Sequence, residues 1–385
     1  MKTKQSGFRS LALLATSVVV GTGFWLLYGE AQQIAPAKSL PDAVEKARAI
    51  VRENFVGKAP GISIAVAMDG KIIWSEGFGY ADVEQKKPVT AQTMFRIGSI
   101  SKPVTAAGMM LLVEQGKLDL DADIHQYIPD YPDKGAKITT RQLAGHLGGV
   151  RHYKGNEFAL NQPFADVRTG LKIFENDPLL SPPGTKFNYS TYGWSVISAV
   201  MESASKQEFV SYMEQSVFRP LNMSNTAADR AGVNNSQRTS FYERTDAGGF
   251  AIAPVVDNSY KWAGGGFLST PEDLLRFGMA HLQPGFLRKG TLEAMFTPQK
   301  LAEGTATDYG IGWSILKDGD GHMIWMHTGG SMGGTSALII HPDSRVVVAM
   351  TANCSRSPFD KKNRESIAEI FSGLFNAAKA AGSSN

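Results

Sequence analysis

A short segment in the first third of the chain carries the residue types needed for acyl transfer. Ser99 and Lys102 lie three positions apart in segment 98–103, GSISKP, at the start of a strongly apolar run. If that run is helical, side chains three apart share a face and can touch. A serine hydroxyl is a weak nucleophile, and a lysine can take its proton when burial or a second cation lowers the lysine pKa. The spacing therefore predicts an acylating serine that needs no histidine.

The Ser-x-x-Lys pattern occurs three times, and its context separates the three copies. Ser203 and Lys206 follow an apolar-periodic segment, which favours a solvated helix face. Ser314 and Lys317 lie in a predicted strand, where positions three apart point to opposite faces. Ser99 stands where a helix begins, with proline in the first turn and glycine after the apolar run. The sequence therefore selects Ser99.

Two later segments could complete a site with Ser99. Tyr189 precedes a predicted helix, and a tyrosine near ammonium groups should have a lowered pKa and could shuttle protons. The alternative for Tyr189 is an aromatic ring packed at a helix start. Segment 327–330, HTGG, ends a predicted strand, where glycines allow a substrate to approach and a backbone N–H to face an oxyanion. The alternative for this segment is a β-turn.

Composition narrows the function class. The 385 residues have a net charge of +3, and their basic residues are scattered, so we predict no nucleic-acid partner. The seven histidines show no zinc-ligand spacing, and we expect His146 and His152 to have loop or core roles. We therefore predict no metal and no cofactor. The single cysteine, Cys354, is expected to be a small core residue.

The N-terminal residues 1–31 are predicted to be a targeting segment rather than part of the fold. Basic residues precede an uncharged apolar stretch at 11–28, which is about as long as a bilayer-spanning helix. A cleaved export signal and an uncleaved membrane anchor are both consistent with it. A mitochondrial presequence fits less well, because those are amphipathic and rich in arginine. Both preferred alternatives predict a body that is exported, either periplasmic or anchored to the outer face of the cytoplasmic membrane. Residues 32–39 are a predicted linker.

The remaining periodicity predicts an α+β fold in a single domain at 40–385. Apolar alternation interrupted by Asp69-Gly70 predicts a hairpin near the start, and short strands return near the end. Helical patterns dominate between them, over about 118–257. We expect an antiparallel sheet built from both chain ends, flanked by helices, with a mostly helical insert. The predicted elements are helices at 40–55 and 367–377, and strands at 61–67, 71–75, 309–315, 322–327, 335–341 and 345–351.

In this order, the three chemical segments resemble the signature of the class C β-lactamase and penicillin-binding-protein-like serine hydrolases. Within that family the chain is most similar to the serine β-lactamase-like type. The resemblance covers essentially everything from about Ala43 onward. It is carried also by segments 77–84, 114–121, 146–153, 265–270 and 309–313.

The resemblance implies a role for each matching residue. Ser99 would form an acyl-enzyme, Lys102 would accept or relay its proton, and Tyr189 would serve as general base and acid. The backbone N–H groups of Ser99 and Gly330 would form the oxyanion hole. Substrate-binding positions are implied at Thr191, His327, Thr328, Gly329 and Gly330.

Three positions depart from the family pattern. Thr191 stands where β-lactamases carry asparagine, His327 where they carry lysine, and Gly148 where they carry serine. A mostly neutral histidine attracts a substrate carboxylate less strongly than lysine does. These changes argue against an efficient β-lactamase and favour hydrolysis of a small peptide, amide or ester.

Several alternatives stay open for the function. A peptidase of the penicillin-recognising type leads, because the leader directs the body to where peptidoglycan lies. An esterase or a weak β-lactamase could use the same residues. A non-catalytic scaffolding or binding protein could share the fold. The sequence leaves the oligomeric state open.

Overall fold

The computed structural model describes residues 36–233, 235–356 and 358–382. The predicted targeting segment at 1–31 lies outside them. From Pro36 onward the chain forms one compact unit. Across the described residues, no helix combines the length and apolar character needed to cross a bilayer.

Seven strands of the described chain form one antiparallel sheet. Its order is β3-β2-β1-β12-β11-β10-β9, while β4-β8-β5 and β6-β7 form two small sheets. The strands are β1 (Gly61–Met68), β2 (Lys71–Asp82), β3 (Lys87–Pro88), β4 (Phe95–Arg96), β5 (Ala227–Ala228), β6 (Tyr242–Arg244), β7 (Phe250–Ile252), β8 (Phe267–Ser269), β9 (Ser314–Lys317), β10 (Met323–Ser331), β11 (Gly334–His341) and β12 (Val346–Ala352).

Ten α-helices lie in the described ranges. They are α1 (Leu40–Asn54), α2 (Ser101–Glu114), α3 (Thr140–Ala144), α4 (Val167–Leu171), α5 (Thr191–Ser205), α6 (Phe209–Met213), α7 (Trp262–Gly265), α8 (Pro271–Met279), α9 (Lys289–Met295) and α10 (Lys361–Gly382). Helices α3 to α6 and the short strands β5 to β7 lie between residues 118 and 257, as the predicted insert requires.

The predicted fold class is confirmed at the centre of the sheet. β1 pairs with β2 on one side and with β12 on the other, so Ile62 lies opposite Ala352. The β1–β2 turn uses Asp69 and Gly70 with φ of 48° and 80°. Positive φ at both central residues is the geometry that favours a tight hairpin and an Asp-Gly sequence. The sheet therefore joins the two ends of the chain.

Alternation along β1 sends its side chains into two separate cores. Ile62, Ile64 and Val66 pack in the core that contains residues of α1 and α10. The smaller Ala65 and Ala67 belong to the other core, with α2, α5 and α8. Because side chains in a strand alternate between faces, one short sequence covers both layers of helices.

Helix α2 lies inside the second core and carries Lys102 in its first turn. Most of its residues are buried. Pro103 falls in the first turn, where its missing N–H costs least, and Gly116 follows the helix with φ of 67°. These observations agree with the predicted start and stop of the helix. A buried helix holds its first residues in a fixed position against the sheet.

The predicted strand at 309–315 is wrong over most of its length. Strand β9 begins only at Ser314, and Gly310 N donates to Trp313 O at 2.8 Å. Gly312 has φ of 80°, a left-handed conformation that interrupts a strand and makes this segment a tight turn. Elsewhere α10 is longer than predicted, and Cys354 is buried, as expected of a core residue.

Candidate active site

Ser99 and Lys102 meet at the entrance to helix α2. Ser99 lies in a short 3-10 turn, Gly98–Ile100, which leads directly into the helix. The Nζ atom of Lys102 is 2.9 Å from Ser99 Oγ. Lys102 is fully buried, whereas Ser99 retains partial exposure. The pair therefore places a hydroxyl that could act as a nucleophile beside a cleft, with a nitrogen that could act as a base behind it.

The surroundings of Lys102 favour its neutral form. Burial, with Lys261 as a second cause, lowers the pKa of Lys102 well below its usual value. The Nζ atom also lies 2.6 Å from Gly264 O and 3.1 Å from Thr191 Oγ1. A neutral amine has two N–H donors and one lone pair. If the donors serve Gly264 and Thr191, the lone pair is left to accept the Ser99 proton.

Tyr189 reaches Ser99 from the segment before α5. Its hydroxyl is hydrogen-bonded to Ser99, and its ring lies 4.8 Å from Lys102 Nζ. Burial raises the pKa of Tyr189 to about 12, and the bond to Ser99 only partly opposes this. The expectation of a lowered tyrosine pKa is therefore wrong, because the neighbouring amine is itself biased towards neutrality. At neutral pH Tyr189 carries its proton.

Two histidines fix the position of Tyr189. His146 Nδ1 accepts from the Ser190 N–H at 3.1 Å, and its ring centroid lies 4.3 Å from that of Tyr189. His152 Nδ1 accepts from the Thr191 N–H at 3.2 Å, and its ring meets Tyr189 edge-on. Burial lowers the pKa of both histidines, to about 4 for His152. The predicted loop or core roles of these histidines agree with this, but their support of Tyr189 was missed.

His327 lies on β10 as a neutral, buried side chain. Its Nδ1 is 2.7 Å from Thr328 O, so it must donate there, which leaves Nε2 to accept from Tyr309 OH at 2.9 Å. Burial lowers the pKa of His327 to about 3. The expected weak attraction for a carboxylate follows, since His327 supplies no positive charge. Thr328 is exposed on the same strand.

The backbones of Gly98 and Gly330 approach closely beside Ser99. An ideal Cβ at Gly98 would lie 2.7 Å from Gly330 N, and Gly98 has φ of 48°. Gly329 is packed in the same way, since a Cβ there would lie 1.9 Å from Ile97 O. Because these glycines lack side chains, strand β10 can contact the turn Gly98–Ile100, which carries Ser99. The Gly330 backbone therefore lies next to Gly98, the residue before Ser99.

Thr191 lies between the cavity over Ser99 and the buried amine of Lys102. It is the first residue of α5, it is buried, and its hydroxyl is hydrogen-bonded to Tyr153 as well as to Lys102. Gly264 packs against it, because a Cβ on Gly264 would lie 2.6 Å from Thr191 Cγ2. The absence of a side chain at Gly264 therefore allows this close packing. The role of Gly264 O as a lysine acceptor was missed.

A cavity of about 300 Å³ opens over Ser99. Of the predicted site residues, Ser99, Thr191 and Gly330 line it, with Lys102 and Tyr189 in contact with them. Lys261 also lines it, and no motif had pointed to that residue. The lining residues are Ser99, His152, Tyr153, Phe158, Thr191, Glu243, Lys261, Gly264, Gly265, Gly330, Ser331, Met332 and Ser355.

The other two Ser-x-x-Lys pairs are not part of this site. Lys206 is the exposed left-handed residue that ends α5, and Ser203 is half-buried in its last turn. Ser314 and Lys317 are the two ends of β9, an edge strand of the sheet. The predicted separation of the three pairs by context agrees with these positions.

Comparison with known proteins finds a family whose model matches most of this chain. The family model described as Beta-lactamase matches residues 47–371. The human serine beta-lactamase-like protein LACTB, mitochondrial, is 32% identical over 78% of this chain and 72% of its own length. Penicillin-binding protein 4* of Bacillus subtilis strain 168 is 27% identical over 76% of this chain and 67% of its own.

A solved structure shows the same fold. The octameric penicillin-binding protein homologue from Pyrococcus abyssi superposes with a TM-score of 0.73, at 24% identity, over 87% of this chain and 77% of that one. The family match spans most of the chain and includes every residue of the candidate site. The chain therefore belongs to the beta-lactamase family.

Proposed function

We propose that this protein is a serine hydrolase that cleaves a small peptide or amide through an acyl-enzyme on Ser99. The observation that carries the proposal is the 2.9 Å approach of Lys102 Nζ to Ser99 Oγ within a buried, largely neutral environment. A neutral amine with its two N–H groups already engaged is a ready proton acceptor. Within this class, a peptidase of the penicillin-recognising type is the leading assignment.

In the proposed acylation step, the side chains of the site donate and accept every proton that moves. Ser99 Oγ attacks the substrate carbonyl carbon as its proton passes to Lys102, and the carbonyl oxygen becomes an oxyanion near the Ser99 and Gly330 N–H groups. When the C–N bond breaks, the leaving nitrogen takes the phenol proton of Tyr189. Tyr189 then regains a proton from Lys102. In deacylation, water attacks the acyl carbon and gives a proton to Tyr189 as Tyr189 passes its own proton to Lys102; the bond from the acyl carbon to Ser99 Oγ then breaks, and Oγ regains the proton from Lys102.

The raised pKa of Tyr189 favours an amide substrate over an ester. An amine is a poor leaving group unless it is protonated, whereas a phenolate or an alkoxide depends less on an acid. A phenol that stays protonated at neutral pH and contacts Ser99 is such an acid. An esterase would use the same nucleophile but would need Tyr189 less.

Covalent labelling tests the proposal. The protein is incubated with a fluorophosphonate and, separately, with a labelled penicillin, and its intact mass is measured. We expect both reagents to add once, the Ser99→Ala variant to remain unlabelled, and Ser203→Ala to be labelled like the wild type. Ser203 is the matched control, because it belongs to another Ser-x-x-Lys pair.

Other labelling results would favour a different function or a different nucleophile. Labelling by the fluorophosphonate alone would favour an esterase or an unrelated peptidase. Labelling that survives Ser99→Ala would contradict the choice of nucleophile. Failure of both reagents to react would favour a scaffolding protein on this fold.

We also propose that the body is exported, either as a periplasmic protein or on a membrane anchor. The support is the basic start and the apolar stretch of residues 1–31. Fractionation of cells that produce the full chain, with the N-terminal sequence of the recovered protein, tests this. Recovery of uncleaved protein from the cytoplasm would contradict it.

A further inference from the structure

Lys261 is a second buried lysine in the cavity of Ser99. It directly precedes α7, and only 2% of its surface is exposed. Its Nζ donates to Phe158 O at 2.8 Å. The same nitrogen lies 4.7 Å from the ring centroid of Phe158, 4.9 Å from that of Tyr260 and 5.3 Å from that of Tyr153. Three aromatic rings and one carbonyl oxygen therefore surround it.

The charge of Lys261 has no direct counter-ion among the described residues. No ion pair within 4.0 Å joins its Nζ to a described carboxylate. The nearby Asp229 favours the charge, but its Oδ2 already accepts from the side chains of Arg96 and Asn258, and its Oδ1 lies 2.8 Å from Nη2 of Arg238. Asp257 also favours the charge, while its Oδ1 accepts from Ser259. A lysine ammonium has three N–H donors, and one carbonyl oxygen does not satisfy them.

The other basic side chains near the cavity are neutral or biased to the neutral form, so Lys261 is the candidate for binding an anion. His327 and His152 are neutral because burial lowers their pKa. Lys102 is biased to the neutral form. Among the described cavity-lining residues, Lys261 is then the one side chain that can supply a positive charge, and Glu243 supplies a negative one.

We propose that Lys261 binds a carboxylate of the substrate, so that the protein prefers substrates that carry a carboxylate on the acyl side or on the leaving side of the scissile bond. A carboxylate in the cavity would give Lys261 the counter-ion it lacks, and a charge-assisted bond is strong where water is excluded. The side chain of Lys261 is already buried and its Nζ is already hydrogen-bonded to Phe158 O, so little conformational entropy is lost when the anion binds. This inference rests on the proposed hydrolase function and specifies its substrate class.

Matched ester pairs test the preference. Mono-para-nitrophenyl adipate and para-nitrophenyl hexanoate differ in a terminal carboxylate on the acyl side. Para-nitrophenyl acetate and its ring-carboxylated derivative differ on the leaving side. We expect wild-type kcat/KM to favour the anionic member of at least one pair, and Lys261→Met to reduce that ratio by roughly tenfold or more, the range for a hydrogen bond to a charged group.

The controls separate charge from structure. Lys261→Met keeps a flexible apolar side chain among the rings, and its thermal unfolding is compared with that of the wild type. Lys317→Met removes an exposed lysine from edge strand β9 and should leave both ratios unchanged. Equal loss of turnover on neutral and anionic esters in Lys261→Met would assign Lys261 to the support of Lys102 and overturn the inference. Absence of any anionic preference in the wild type would also overturn it.

A binding measurement keeps this test separate from catalysis. The Ser99→Ala protein is titrated calorimetrically with adipate monoester, with and without Lys261→Met. We expect the second substitution to weaken binding by roughly tenfold. Unchanged binding would overturn the inference even if the protein is a hydrolase. Weakened binding would support it even if labelling of Ser99 failed.

Discussion

Gly98 and Gly330 belong to elements from opposite ends of the chain, yet a Cβ on Gly98 would lie 2.7 Å from the Gly330 nitrogen. Real Cβ atoms do not make such contacts, so strand β10 and the turn Gly98–Ile100 meet only because Gly98 has no side chain. The proposed oxyanion hole depends on this approach, since its two N–H groups come from Ser99 and Gly330.

Substitution of Gly98 by alanine should therefore impair catalysis as well as stability. We expect Gly98→Ala to lower kcat on an activated ester by roughly a hundredfold, the usual effect of losing one oxyanion donor. Gly116→Ala is the matched control. It has φ of 67° but open space around its Cβ, so it should cost only about 1 kcal/mol of stability. Equal kcat values for both variants would contradict the proposed oxyanion hole.

The Thr191 hydroxyl should matter because it occupies one N–H of Lys102. We expect Thr191→Val, which keeps the side-chain shape, to lower kcat roughly tenfold by leaving that donor unsatisfied. Thr105→Val removes a buried hydroxyl that donates to Ala263 O from the same helix as Lys102. Thermal unfolding should show similar losses of stability in both variants. A loss of kcat in Thr105→Val as large as that in Thr191→Val would assign the effect to general packing.

The protonated phenol of Tyr189 should be needed chiefly for amide cleavage. We expect Tyr189→Phe to lower kcat/KM on an anilide by at least roughly a hundredfold, and on the matching nitrophenyl ester by much less. Tyr212→Phe is the control, because burial also raises the pKa of Tyr212 to about 12 but its hydroxyl donates to Gly108 O. Equal losses on anilide and ester would argue against a leaving-group acid.

The preference for anionic substrates should depend on pH. Burial and the neighbouring Arg96 lower the pKa of Lys261 to about 7, against the opposing effects of Asp229 and Asp257. A lysine is cationic below its pKa, so the anionic-to-neutral ratio of kcat/KM should be high below pH 7 and fall above it. Titration of Lys102 affects both substrates and cancels in the ratio. The ratio in Lys261→Met should stay flat, and a ratio that rises with pH in the wild type would contradict the inference.

The sequence predicts the sheet and the contact between Ser99 and Lys102 because their signals are local. Asp69-Gly70 specifies a hairpin turn, and Ser99 stands before a long apolar helix that context distinguishes from the other two Ser-x-x-Lys pairs. The strand predicted at 309–315 is wrong because Gly312 adopts a left-handed conformation that apolar alternation does not reveal.

The positions and protonation states of the titratable side chains in the site could not be predicted in the same way. Lys261 has no motif around it, and its place in the cavity depends on rings from Tyr153, Phe158 and Tyr260. The pKa of Tyr189 rises because burial outweighs an amine that is itself biased towards neutrality. Both are products of tertiary packing, and residue types alone do not determine burial.

The pairing of β1 with β12 sets the order in which the protein can be completed during synthesis. Strand β1 leaves the ribosome before its partner, because the segment from Val346 to Ala352 emerges nearly three hundred residues later. Until then one edge of an apolar strand has no neighbour, and exposed strand edges favour association with other chains. The nascent chain therefore exposes this strand edge until β12 has been made, and Ser99 has no Gly330 beside it until β10 has been made.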